Sequence, residues 1–147
     1  MATTERPAPR ILIIDDNNAD IELVREAFSE NDIAATFTVA NSGQQALDLL
    51  RSADTPAPDM ILLDLQMPAM DGQQVLNALK ADAATRSIPV VMMTSSERPE
   101  DISEAYGNAV STYIVKPVQW GRLLNTVKSL EQFWFNAARL PRAAGKG

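Results

Sequence analysis

Ile11-Leu12-Ile13-Ile14-Asp15-Asp16 and Met60-Ile61-Leu62-Leu63-Asp64 are two short apolar runs, each closed by acid. Runs of this length read as strands covered on both faces, as in a parallel sheet packed between helices. In such a sheet the carboxyl ends of neighbouring strands open onto one crevice, where these folds bind ligands. The pattern therefore predicts that Asp15, Asp16 and Asp64 converge. A third run ends in Thr94 and a fourth in Lys116, so one hydroxyl and one ammonium are set on the same sheet edge as three carboxylates.

Outward from these runs, the hydrophobic period switches between short continuous stretches and helical spacing, which is the signature of βα units. Five units are predicted. The first pairs a strand over residues 10–14 with a helix over 19–30 whose buried stripe is Ile21, Val24 and Phe28. A strand over 35–39 precedes a helix capped by Asn41 or Ser42, marked by Ala46, Leu47, Leu49 and Leu50, and stopped before Pro56 and Pro58. The third strand ends at Asp64, and after a loop over 66–72 a helix buries Val75, Leu76 and Leu79. A strand over 89–93, a weakly patterned helix over 100–106, a strand over 112–115 and a helix over 119–136 complete the chain. The third, fourth and fifth strands, nearly all apolar, are expected at the centre of the sheet. Right-handed crossovers then give a doubly wound three-layer α/β domain over 10–136, with a short segment before it (1–9) and a basic tail after it (137–147).

The composition removes several classes of function. At 147 residues there is room for one domain. With 13 basic and 19 acidic residues the net charge is −6, which argues against nucleic acid or an anionic membrane as partner. Cysteine and histidine are absent, so disulfides, thiol chemistry, His-based triads and the usual zinc sites are excluded. No apolar run approaches the ~20 residues that span a bilayer, and residues 1–10 lack the apolar core of a signal peptide, so a cytoplasmic protein is expected.

What remains is oxygen chemistry. Two carboxylates held ~4 Å apart repel by ~4 kcal/mol at an effective dielectric of 20, so three ionised aspartates in one crevice call for a cation. Mg²⁺ accepts a few carboxylates, a carbonyl and retained waters, and it commonly serves phosphate chemistry. Thr94 and Lys116 offer a hydroxyl donor and a positive charge to the oxygens of a phosphoryl group beside that ion.

The motifs Ile-Ile-Asp15-Asp16, Leu-Leu-Asp64-Leu-Gln-Met-Pro68-Ala-Met-Asp71-Gly72, Met-Met-Thr94-Ser and Tyr113-Ile-Val-Lys116-Pro117 resemble those of the receiver domain of two-component response regulators, over about residues 10–130. The resemblance implies a five-stranded parallel, flavodoxin-like (βα)5 fold with strand order 2-1-3-4-5 and an extended C-terminal helix; this order belongs to the family, and the spacing of the strands alone leaves it open. It further implies that Asp64 accepts a phosphoryl group from a phosphohistidine on a sensor histidine kinase. Asp16, Asp64 and the backbone carbonyl of Gln66 would ligate Mg²⁺, with Asp15 acting largely through a bound water. Lys116 would pair with Asp64 or its phosphate, the bond to Pro117 would be cis, and Thr94 and Tyr113 would form the switch. Gln66 and Ser96, two residues beyond Asp64 and Thr94, occupy positions that tune the access of hydrolytic water in the family.

The chain departs from the commonest receiver pattern twice. Tyr106-Gly107-Asn108-Ala109-Val110-Ser111 replaces the usual small-residue turn before the last strand, and the last helix continues into Phe133-Trp134-Phe135 and Leu140-Pro141. That ending resembles the small single-domain regulators paired with phytochrome-type kinases. Adjacent helical residues are about 100° apart, so these three aromatics fan over an arc too wide for one core, and a homodimer built on them is expected, with an unidentified downstream protein as target. Two other readings compete: a phosphohydrolase with Asp64 as nucleophile, which would usually carry an acid where Gln66 stands, and a flavin-binding module, whose phosphate the acids after the first strand would repel.

Overall fold

The computed structural model describes residues 8–116 and 119–132, and every structural statement below concerns these residues. The elements alternate in the expected order: β1 (Arg10–Ile14), α1 (Asn18–Glu30), β2 (Thr36–Ala40), α2 (Gly43–Arg51), β3 (Met60–Leu63), α3 (Gly72–Ala81), β4 (Val90–Thr94), α4 (Pro99–Gly107), β5 (Thr112–Val115) and α5 (Trp120–Leu130). The five strands are parallel in the order β2-β1-β3-β4-β5.

The two faces of the sheet bury separate clusters, because successive side chains of a strand point to opposite sides. Leu12, Ile14, Ile61, Leu63, Val90 and Met92 pack with Val75, Leu76 and Leu79 of α3 and with Ala46 and Leu47 of α2. Ile11, Ile13, Met60, Leu62 and Val91 pack with Ile21, Val24 and Phe28 of α1 and with Leu123 and Val127 of α5. The helical stripes expected for α1 and α3 are thus the ones buried.

One expectation is corrected. β5 lies at the sheet edge and all four of its residues are half-buried, whereas β1, flanked by β2 and β3, is an interior strand beside the central β3. An apolar strand at an edge is explained by helix cover: Ile114 packs on the α1/α5 cluster and Tyr113 on the other, so each face is shielded although one flank is unpaired. The weakly patterned helix is also longer than expected, starting at Pro99, which favours the first helical turn through its fixed φ. It ends at Gly107, after which Ala109 takes a φ of 68° and Val110 turns back into the core.

Caps fix where the crevice loops begin. Asn17 caps α1, accepting from the backbone N–H of Ala19 and Asp20, Ser42 caps α2, and Asp71 forms a capping box with Gln74 at α3. Gly72 is required by a close approach: a Cβ there would lie 2.4 Å from the Asp64 carbonyl oxygen and 2.6 Å from Leu65 Cα. The start of α3 is therefore pressed against the end of β3, beside the central acid.

Candidate phosphoryl-acceptor and metal site

The register of the sheet brings Asp15 and Asp64 side by side. Ile14 pairs with Leu63, and the residues that follow each strand, Asp15 and Asp64, turn into the crevice together. The Asp64 N–H donates to the Ile14 carbonyl at 2.9 Å, and the Asp15 N–H donates to Ala40 at 3.0 Å, so the ladder holds one step past each strand. Both aspartates then use the same local device. One oxygen accepts from the N–H two residues on, Asn17 to Asp15 Oδ1 at 2.9 Å and Gln66 to Asp64 Oδ1 at 3.1 Å. These Asx turns leave the second oxygen of each acid free to face the crevice.

Lys116 meets those second oxygens. Its own N–H is fixed on the Thr94 carbonyl at 2.8 Å, and its Nζ lies 3.0 Å from Asp15 Oδ2 and 3.5 Å from Asp64 Oδ2. The shortest bond, 2.7 Å, goes to Asp20 Oδ2, in the first turn of α1. Three N–H donors of one ammonium thus face three carboxylates. Burial alone would push the Lys116 ammonium down, but the bonds to Asp20 and Asp15 outweigh it and the group is raised above its ordinary 10.5, so it stays charged. Asp15 goes the same way for a different reason: burial raises it, and the bonds from Asn17 and Lys116 only partly oppose this.

Asp15, Asp16 and Asp64 each offer an oxygen within 4.8 Å of the others, Asp15 and Asp64 buried and Asp16 exposed. An all-oxygen set with one open side suits a hard divalent cation that keeps some of its water. Burial is the main cause of the raised Asp15 carboxyl and the neighbouring Asp64 charge adds to it, so a cation beside the pair would favour the ionised form.

The remaining expected residues line the same end of the sheet. Thr94 closes β4 and is fully buried, its Oγ1 accepting from the Ser96 N–H at 3.4 Å. Tyr113 lies half-buried against the core and its hydroxyl donates to the Ser96 carbonyl at 2.9 Å. Burial, only partly opposed by this bond, raises the phenol above its ordinary 10.0. The Gln66 side chain is exposed and its Oε1 accepts from the Ser95 hydroxyl, which ties the β3–α3 loop to the β4–α4 loop across the mouth of the site. Pro117 and the run Phe133, Trp134 and Phe135 lie outside the described residues.

Three features of the site escape a reading of the sequence. Asp20, the nearest partner of Lys116, is one. The contacts of Ser96, a position the resemblance already marks, are another: its hydroxyl donates to Asp101 of α4 at 2.5 Å while its carbonyl holds Tyr113. The third is buried Gln73 of α3, whose amide nitrogen donates to the Asp101 carbonyl at 3.0 Å. An acid at the third helical position reads as a complement to the helix dipole, so Asp20 carries no distinct signal, and the resemblance that marks the Ser96 position does not name its partners.

The response regulator receiver domain matches residues 11–128. The chain belongs to this family. Among curated relatives it is 36% identical over 137 residues to a probable methanogenesis regulatory protein, FilR2, of Methanothrix harundinacea, covering 91% of this chain and 88% of that one. It is 31% identical to the response regulator Rcp1 of Synechocystis over 147 residues, covering 97% of this chain and all of the relative. Two solved structures extend the likeness: the phosphorylated cyanobacterial phytochrome response regulator RcpA, with 35% identity, TM-score 0.84 and coverage of 92% and 99%, and a Mn²⁺-bound form of Rcp1, with 31% identity, TM-score 0.80 and coverage of 90% and 99%. This receiver domain is thus a two-component signalling protein similar to single-domain phytochrome regulators, with an acidic cluster suited to a divalent metal.

Proposed function

We propose that Asp64 accepts a phosphoryl group from the phosphohistidine of a sensor histidine kinase of phytochrome type, and that the protein then acts through phosphorylation-dependent contacts with a downstream protein. One observation carries this reading: the buried Asp64 carboxylate lies beside two further carboxylates and a charged lysine at the carboxyl end of the sheet. A carboxylate oxygen of Asp64 attacks phosphorus, the bond from phosphorus to the imidazole nitrogen breaks, and the pair of electrons leaves with the histidine. Water later attacks the same phosphorus and returns the carboxylate and inorganic phosphate. Mg²⁺, held by Asp15, Asp16, Asp64 and the Gln66 carbonyl, would supply the charge neutralisation that phosphoryl transfer requires. Lys116 supplies the fixed positive charge from the protein and Thr94 the hydroxyl, and Thr94 with Tyr113 forms the switch that reports the phosphate to α4 and β5.

The likeness of the chain to RcpA and Rcp1 over nearly their whole lengths supports a phytochrome-type kinase as partner. A phosphohydrolase is disfavoured because the residue two beyond Asp64 is Gln66, an amide with no titratable proton, engaged with Ser95. We read the protein as a phosphoryl-accepting switch and not an enzyme acting on other substrates. Among the described residues no helix is long and apolar enough to cross a membrane, which accords with a cytoplasmic partner of a sensor kinase. The receiver unit is assigned to residues 10–136, and a homodimer through Phe133, Trp134 and Phe135 is part of the proposal: six aromatics from two subunits could bury on the order of 1,000 Å².

The test is labelling by acetyl phosphate or kinase. Asp64→Asn should take up no label, and excess chelator should prevent labelling of the wild type. Undiminished label in either case would refute the assignment.

A further inference from the structure

We propose that Asp20 is a positioning residue for the phosphoryl-acceptor site, holding the Lys116 ammonium on the α1 side of the crevice and so setting how strongly that ammonium engages a group on Asp64. The proposal rests on Asp64 as acceptor and adds a residue that the receiver motifs in this sequence do not include.

Distances single out Asp20. Lys116 Nζ is 2.7 Å from Asp20, 3.0 Å from Asp15 and 3.5 Å from Asp64, so in the unmodified protein the acid that matters for the chemistry is the most distant of the three. A charge-assisted N–H···O bond at 2.7 Å is at the short, strong end of the range, whereas 3.5 Å is at the limit of hydrogen bonding. Asp20 is also held in place. It lies in the first turn of α1, whose start is fixed by the Asn17 side chain accepting from the N–H of Ala19 and of Asp20 itself. The helix dipole favours a carboxylate at that turn. The Asp20 side chain is 28% exposed against 8% for Asp64, so it belongs to the rim and does not share the buried acid pair.

The consequence is competition for one cation. When a phosphoryl group occupies Asp64, its oxygens and the Asp20 carboxylate draw on the same ammonium, and Asp20 also repels the new negative charge. An uncharged side chain of the same shape at position 20 leaves more of the lysine's attraction for the phosphoryl oxygens. The phosphorylated state should then be held more tightly.

The experiment uses beryllofluoride, a stand-in for the phosphoryl group, titrated calorimetrically into the protein at saturating Mg²⁺. Asp20→Asn is expected to bind it about fivefold more tightly than the wild type, the effect of freeing one partly exposed charge-assisted bond. Glu22→Gln removes the same charge from an exposed site on α1 and should leave the affinity unchanged. In the metal-free protein the ¹⁵N resonance of the Lys116 ammonium should move in Asp20→Asn and stay fixed in Glu22→Gln, a signature that a purely structural change would not select. Unchanged or weakened binding in Asp20→Asn, an equal gain in Glu22→Gln, or an unmoved ammonium signal would each overturn the proposal. Failure of wild type to bind beryllofluoride would instead refute the acceptor assignment, and the metal-free resonance would still decide whether Asp20 holds Lys116.

Discussion

Gly72→Ala isolates the coupling between α3 and the phosphoryl-acceptor site. A Cβ at position 72 would stand 2.4 Å from the Asp64 carbonyl oxygen, 2.6 Å from Leu65 Cα and 3.0 Å from the Asp64 carbonyl carbon. All three are backbone atoms, so no side chain can rotate away. An ordinary carbon contact needs ~3.5 Å, and the helix start and the strand end must therefore separate by roughly 1 Å. That movement strains the bond from the Gly72 N–H to the Leu65 carbonyl, now 2.8 Å, and carries the Asp64 backbone with it. Overpacking of this kind costs about 1–3 kcal/mol, against at most about 1 kcal/mol regained from the better helix propensity of alanine. A net loss of about 1–2 kcal/mol is expected, together with a loss of Mg²⁺ affinity because Asp64 shifts relative to Asp15. Urea unfolding with and without Mg²⁺ measures both: the midpoint should fall, and the stabilisation by Mg²⁺ should shrink by more than the metal-free stability does. A variant with the wild-type midpoint and wild-type Mg²⁺ response would refute the claim that this glycine is there for close approach.

Thr94→Ala and Tyr113→Phe should both still accept phosphate on Asp64 but lose the phosphorylation-dependent change in amide exchange over α4 and β5, and wild-type exchange changes in either would remove that residue from the switch. Tyr113→Phe, which deletes the bond to the Ser96 carbonyl, should cost about 0.5–1.5 kcal/mol in urea unfolding. Because burial raises the Asp15 carboxyl above its ordinary 3.8, this group favours the fold while protonated. That contribution is full below 3.8 and is lost as pH rises through the folded value, so metal-free protein should lose stability across this window and Asp15→Asn should flatten the dependence. Lys116, raised above 10.5, contributes below that value and loses its contribution only in stronger base, so it does not enter the acid window. Truncation after Glu131 should give a folded, phosphorylatable monomer, and full-length protein that sediments as a monomer at high micromolar concentration, phosphorylated or not, would refute the dimer.

The parts of the fold legible in the sequence are those where one local signal has one structural meaning. Apolar runs of four closed by acid form β1 and β3, and stripes at helical spacing form the buried faces of α1 and α3. Asp15, Asp16, Asp64, Thr94 and Lys116 converge because a parallel sheet delivers every strand's carboxyl end to one side, so knowing the strands suffices to know the crevice. The place of β5 escapes such a reading, since apolarity reports cover on two faces, not pairing on two flanks. A half-buried edge strand between α4 and α5 satisfies the same composition as a central one.

Asp20 is illegible for a deeper reason. A pairing between residues 96 positions apart, from the first turn of α1 to the end of β5, leaves no periodicity in the chain. An acid at that turn already has a sufficient local explanation in the helix dipole. Only the distances reveal that it has a second partner, and that it sits nearer to Lys116 than does Asp64, the proposed acceptor. The motif residues define which chemistry the crevice can perform. On the proposal above, the rim carboxylate acts on how the half-buried Lys116 ammonium is shared between the resting and the modified site. If Asp20 holds Lys116 in this way, a substitution at position 20 should alter how tightly the phosphorylated state is held while every motif residue remains in place.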